Sequence, residues 1–201
     1  METNATMSAG QSLELIKKVI ESNRREMQRG MAGMMFIWGA VVAVTALVVG
    51  HLWMHNGGPV WNWLWLSVPV VGNVAMWLYE RRSEKRPAGF VGKVLGYVWA
   101  SFAVGCFTLF ALYVLSLDAG SGLRQIPITS MIIVLMTVSC IATGLVVGNK
   151  FIIPFSAAPG VVLSYFALMY QGPYEMLAMA LAALLMLVLP GLMIYWKTKK
   201  L

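Results

Sequence analysis

The sequence predicts an all-α integral membrane protein: a bundle of six transmembrane helices preceded by an N-terminal amphipathic helix on the cytoplasmic side. Three observations predict it. Of the 201 residues, 59% are hydrophobic and 11% charged, against roughly 45–50% and 25% in a soluble domain. Beyond Gly30, six apolar runs follow one another, each with roughly the 17–25 residues that a helix needs to cross about 30 Å of hydrocarbon. Finally, the basic residues are not scattered but sit almost entirely in alternate gaps between the runs.

The first 30 residues form the cytoplasmic segment. Within Ser12–Arg29, Leu13, Ile16, Ile20 and Met27 fall on one helical stripe beside Val19, and charge fills the opposite face. Glu14 with Lys18 and Glu21 with Arg25 are i,i+4 pairs in the favourable order, Ser12 suits an N-cap, and Gly30 marks the expected end. Such a helix lies on the inner leaflet or docks a cytoplasmic protein through residues 12–29. The sequon Asn4-Ala5-Thr6 falls on the same side, where glycosylation chemistry is absent.

The membrane domain, residues 31–196, contains the runs 31–54, 60–79, 94–117, 126–147, 151–170 and 176–196, and residues 197–201 are a basic tail. No Asp, Glu, Lys or Arg lies inside any run, and one such charge at mid-bilayer costs roughly 2.5–3.5 kcal/mol on insertion scales. Lipid offers the backbone no hydrogen-bond partners, so these runs must be helices. Of 15 Lys and Arg, only Arg124 falls in a gap assigned to the outer side. The rest fall before the first run, at residues 81–93, at Lys150 and at residues 197–200, so the positive-inside rule puts both termini in the cytoplasm. Merging or dropping one run would misplace every basic residue downstream of it. The fifth run is the weakest, because Pro154 and Pro159 each remove a backbone donor. A kinked full crossing is preferred there to a re-entrant loop. Trp53, Trp61, Trp63, Trp77, Trp99 and Trp196 fall near span ends, as in aromatic belts.

Few side chains suggest chemistry. His51 and His55, four apart at the outer end of the first run, have metal-capable spacing, yet two ligands do not close a site. Asn73 is the costliest intramembrane polar group to leave unpaired and the best single candidate for lining a pore. Pro159-Gly160 and Pro190-Gly191, with Pro154, are candidate hinges. Gly144 with Gly148 and Ser101 with Gly105 are small-xxx-small steps that allow helices to approach closely. Such faces serve contacts within one chain or within a homo-oligomer equally well. Cys106 and Cys140 read as small packing residues. Thr45–His51 resembles Thr143–Asn149, and Ser, Pro and Gly recur in that order in the second and fifth runs. A three-plus-three inverted repeat would account for both, as would chance, since Leu-Val-Val-Gly is common in apolar helices and the register slips between the matches.

The formal charge of +7 does not point to nucleic acid, because it lies between apolar runs rather than on a soluble basic face. No run contains an acid or lysine to relay protons, and no phosphate-binding glycine loop or protease arrangement occurs. No cofactor is expected. The layout resembles a group of uncharacterised small bacterial six-span membrane proteins, through the Ser-Leu-Glu-Leu-Ile lead into Phe36-Ile37-Trp38-Gly39, the basic second cytoplasmic loop and Leu189-Pro190-Gly191-Leu192. That resemblance implies an envelope location and no activity. The expectation is a multi-pass protein of a bacterial cytoplasmic membrane, non-enzymatic and engaged in interaction or regulation. The alternative is a passive transporter or channel for a neutral or weakly polar solute.

Overall fold

One helix, α1 (Ala9–Asn56), runs unbroken for 48 residues, about 72 Å at 1.5 Å per residue. It belongs to a computed structural model that describes residues 9–82, 90–118 and 127–199, among which every regular element is helical. The expected break at Gly30 is absent, so the N-terminal segment and the first crossing are a single element. A mid-helix glycine costs only about 0.5–1 kcal/mol relative to alanine, and good helix formers propagate the structure from both sides. Residues 10–22 stand clear of the bundle, with Leu13 72% and Ile20 62% exposed. Asn4-Ala5-Thr6, residues 83–89 of the basic loop, Arg124, the start of the fourth run at 126, and residues 200–201 of the tail lie outside the described residues.

The second run is not the single helix expected over 60–79. Gly57 and Gly58, both at positive φ that only glycine adopts freely, turn the chain into a 3-10 helix, Pro59–Leu66, followed by α2 (Ser67–Arg82). The physical reason lies at Pro69, which has no N–H for the Trp65 carbonyl four residues back. The missing bond weakens an α-helical path at that point. The backbone therefore stays in the tighter winding to Leu66, and the Ser67 hydroxyl donates to the Leu64 carbonyl at 2.6 Å.

Five helical stretches are long and apolar enough to cross a membrane: Gln28–Asn56, Phe90–Leu115, Ile128–Val147, Ile152–Met169 and Pro173–Lys197. They correspond to the first, third, fourth, fifth and sixth runs, and such an architecture fits a multi-pass membrane protein. The third is α3 (Phe90–Asp118), the fourth α4 (Ile128–Val147) and the fifth α5 (Ile152–Met169). The sixth divides into α6 (Pro173–Ala183), a π-helical turn (Leu184–Val188) and α7 (Leu189–Lys199).

Packing places α1 at the centre, antiparallel to the sixth run along its whole length. Gly50 faces Met176, Gly39 faces Leu187 and Val188 of the π turn, and Gly191 faces the Ala32 carbonyl. On another side α2 descends along α1, with Tyr79 against Gly33 and Trp38 against Gly72. α4 and α5 form the tightest pair, α5 also packs on α6, and α3 lies outside against α4. The core joins Met35, Ala46, Ile133, Met136, Cys140, Ala182 and Met186, all essentially inaccessible.

Candidate functional site

The turn from α4 into α5 determines where the charged end of the site stands. Gly148 closes α4 in the left-handed conformation (φ 66°), and the Asn149 and Gly148 amides return to the Gly144 and Leu145 carbonyls. That is a Schellman C-cap. Asn149 then starts α5, its Oδ1 accepting from the Phe151 amide at 3.1 Å. Lys150 thereby stands at the tip of a short turn whose flanking amides, of Asn149, Phe151 and Ile152, are hydrogen-bonded.

Pro190 shapes the facing wall. It offers no N–H to the Met186 carbonyl, and an α-helical path would press its ring against that oxygen. The chain widens into the π turn instead, and the Cys140 thiol donates to the Met186 carbonyl at 3.8 Å. Below this point α7 packs chiefly on α1, whereas α5 stays with α6 and the π turn. A cleft opens between α5 and α7, about 350 Å³ in volume, floored by Ile152, Pro190 and Ile194 and walled by Phe155, Met193 and Trp196. It adjoins a more polar hollow of about 240 Å³ bordered by Gln28, Asn149, Lys150 and Lys197. Phe151, Asn149, Ile194 and Lys197 line both. The Lys197 ammonium lies 5.4 Å from the centre of the Phe151 ring, within cation–π range.

The centre of the bundle, by contrast, is filled. Thr137, Thr143 and Ser156 are buried and donate to the carbonyls of Ile133, Ser139 and Ile152, four residues back, at 2.7–2.8 Å. Ser130 reaches across to the Ser164 carbonyl of α5 at 2.8 Å. These hydroxyls bond backbone rather than line a channel.

The residues singled out in the sequence fall in several places. Asn73 is on the exposed face of α2 and donates to the Pro69 carbonyl at 2.7 Å, away from the packed centre. Pro154 sits in the first turn of α5, where a missing N–H deprives the helix of nothing, so it is no kink. Pro159 is the proline inside α5, and the adjacent Gly160 lets Thr137 of α4 lie directly against the backbone. Gly191 serves close contact with α1. His51 and His55 do come together, with ring centres 4.2 Å apart and His55 Nδ1 on the His51 carbonyl at 3.0 Å. Among the described residues no cluster of three potential metal ligands includes them. Thr137, Thr143 and Ser164 each donate to a carbonyl of their own helix. Of the two small-residue steps, Gly144 meets Ile152 and Ile153, while Gly105 meets Leu135.

The chain matches no family model, and no curated protein or solved structure is significantly similar to it.

The cleft is what sequence reading missed. Lys150 and Lys197 were visible only as orientation signals and Trp196 only as a belt residue. The available signal was the adjacency Lys150-Phe151 and Trp196-Lys197, two basic–aromatic pairs assigned to the same side.

Proposed function

We propose that this chain is a non-enzymatic interaction or regulatory protein of a bacterial cytoplasmic membrane, crossing it six times with both termini in the cytoplasm. The observation that carries the reading is the continuity of α1. Its first two dozen residues present Leu13, Ile16, Val19 and Ile20 to the outside of the bundle, while the same helix further along packs by Gly39 against the π turn. A partner or lipid surface gripping the apolar stripe is thus joined without a flexible link to the most irregular point of the core. The filled centre, with its hydroxyls bonded to backbone, favours this role over a passive pathway.

The remaining crossing, at the second run, is assembled from two pieces. The 3-10 helix of 8 residues spans about 16 Å and the 16 residues of α2 about 24 Å, together more than the roughly 30 Å of hydrocarbon. The placement of Tyr79 beside Gly33 and Gly72 beside Trp38, with the 3-10 helix also packed on α1, supports a descent alongside α1. Arg81, stacked 3.5 Å over the Trp77 ring, suits the inner interface at its end.

A photo-reactive residue placed at Ile16 or Ile20 tests the role in living cells. One discrete protein adduct is expected from these positions and none from Lys18 on the opposite face. Absence of an adduct at both stripe positions, together with solute flux in reconstituted liposomes, would overturn the reading in favour of a pathway.

A further inference from the structure

We propose that the joined clefts between α5 and α7 bind one anionic phospholipid, its phosphate between Lys150 and Lys197 and an acyl chain along Phe155, Pro190 and Met193. The inference goes beyond the role assigned to α1 and does not depend on what that helix grips.

Three features point to this ligand. The larger cleft, about 350 Å³, falls within the roughly 300–1,000 Å³ of small-ligand sites, and its lining is apolar except at the end where Asn149 and Lys197 stand. The hollow continuous with it carries both lysines, with no acidic side chain in either lining. Polarity therefore runs along the helices in the same sense as a phospholipid, charge at the end of the span and hydrocarbon inward. The capped turn after Gly148 fixes the backbone from which Lys150 extends, and the Lys197 ammonium lies 5.4 Å from the centre of the Phe151 ring. A soluble phosphate would leave the apolar trough unfilled, and a neutral lipid would leave two cations uncompensated. Basic pockets between helices near a membrane surface are an established way of holding anionic headgroups.

Native mass spectrometry of the detergent-purified full chain tests the site, with dioleoylphosphatidylglycerol and dioleoylphosphatidylcholine as probes. One phosphatidylglycerol is expected to be retained in clear preference to phosphatidylcholine. At roughly fivefold for each basic contact, Lys150→Ala with Lys197→Ala should reduce that preference by about ten- to thirtyfold. Lys17→Ala with Lys18→Ala, which removes equal charge from the exposed part of α1, should leave it unchanged. Thermal unfolding in lipid-free detergent establishes that the variants fold, and Lys197→Gln alone serves if the double variant does not. The proposal fails if the wild type shows no preference, if either Lys150/Lys197 variant keeps it in full, or if the Lys17/Lys18 control loses as much. It fails equally if soluble glycerol 1-phosphate displaces the lipid at matched concentration, since the trough would then contribute nothing.

Discussion

Replacing Gly39 by alanine tests the central contact of the bundle with a single methyl group. A Cβ added there would lie 2.7 Å from Leu187 Cβ, 2.8 Å from Val188 Cγ2 and 3.1 Å from the Val188 nitrogen. Carbon atoms in contact prefer about 3.5–4.0 Å, so α1 and the π turn must separate by about 1 Å. Neither Leu187 Cβ nor the Val188 nitrogen can swing aside as a side-chain tip could. Overpacking of this kind costs about 1–3 kcal/mol, while alanine in place of a helical glycine returns about 1 kcal/mol. Because two of the three crowded atoms cannot move aside, the upper part of that range applies, about 2–3 kcal/mol, and a net loss of about 1–2 kcal/mol is expected. The control lies nine residues earlier in the same helix, because a Cβ on Gly30 meets nothing within 4 Å. Gly30→Ala should therefore stabilise, by up to about 1 kcal/mol. Equilibrium unfolding in mixed micelles with increasing dodecyl sulfate, followed by far-ultraviolet circular dichroism, measures both. The reasoning is refuted if Gly39→Ala is neutral or stabilising, or if Gly30→Ala costs as much.

Cys140→Val removes the thiol that serves the Met186 carbonyl and should cost about 1–3 kcal/mol, whereas Cys140→Ser keeps a donor and should cost less, as dodecyl sulfate unfolding will register. Gly160→Ala drives a methyl into Thr137 of α4 and should destabilise by about 1–3 kcal/mol; adding Thr137→Ala, which deletes the nearest atoms, should recover part of the loss in a double-mutant cycle. With the native cysteines replaced by alanine, a cysteine at Gly58 should react with a membrane-impermeant maleimide in intact cells, and one at Lys150 or Arg81 only after permeabilisation. Labelling of Arg81→Cys from outside would reduce the second run to something less than a crossing.

Hydropathy and charge alone made the helical class and five of the long apolar helices legible, because their physical cause is local. Lipid supplies no backbone partners, so an apolar run without charges has one stable form wherever it sits. The second run departs from expectation for equally local reasons that hydropathy does not register, the Gly57-Gly58 turn at its start and the missing amide of Pro69 beneath the Trp65 carbonyl. Gly30 erred in the other direction. A glycine was read as a stop, whereas helix propagation through it is cheap when nothing nearby competes for the chain.

The candidate site was hardly legible, since it depends on which helices touch. Pro190 was visible as a possible hinge, but only the fold brings Cys140 to the carbonyl of Met186, 46 residues further along the chain, which Pro190 cannot serve. Lys150 and Lys197 were counted for orientation, and only the diverging packing of α5 and α7 sets them around one cleft. Sequence by itself determined what each segment must be, because backbone satisfaction and charge cost act within a segment. The tertiary structure decided which faces meet, because in lipid that choice rests on the fit of Gly39, Gly160 and Gly191 to their particular neighbours rather than on burying apolar surface.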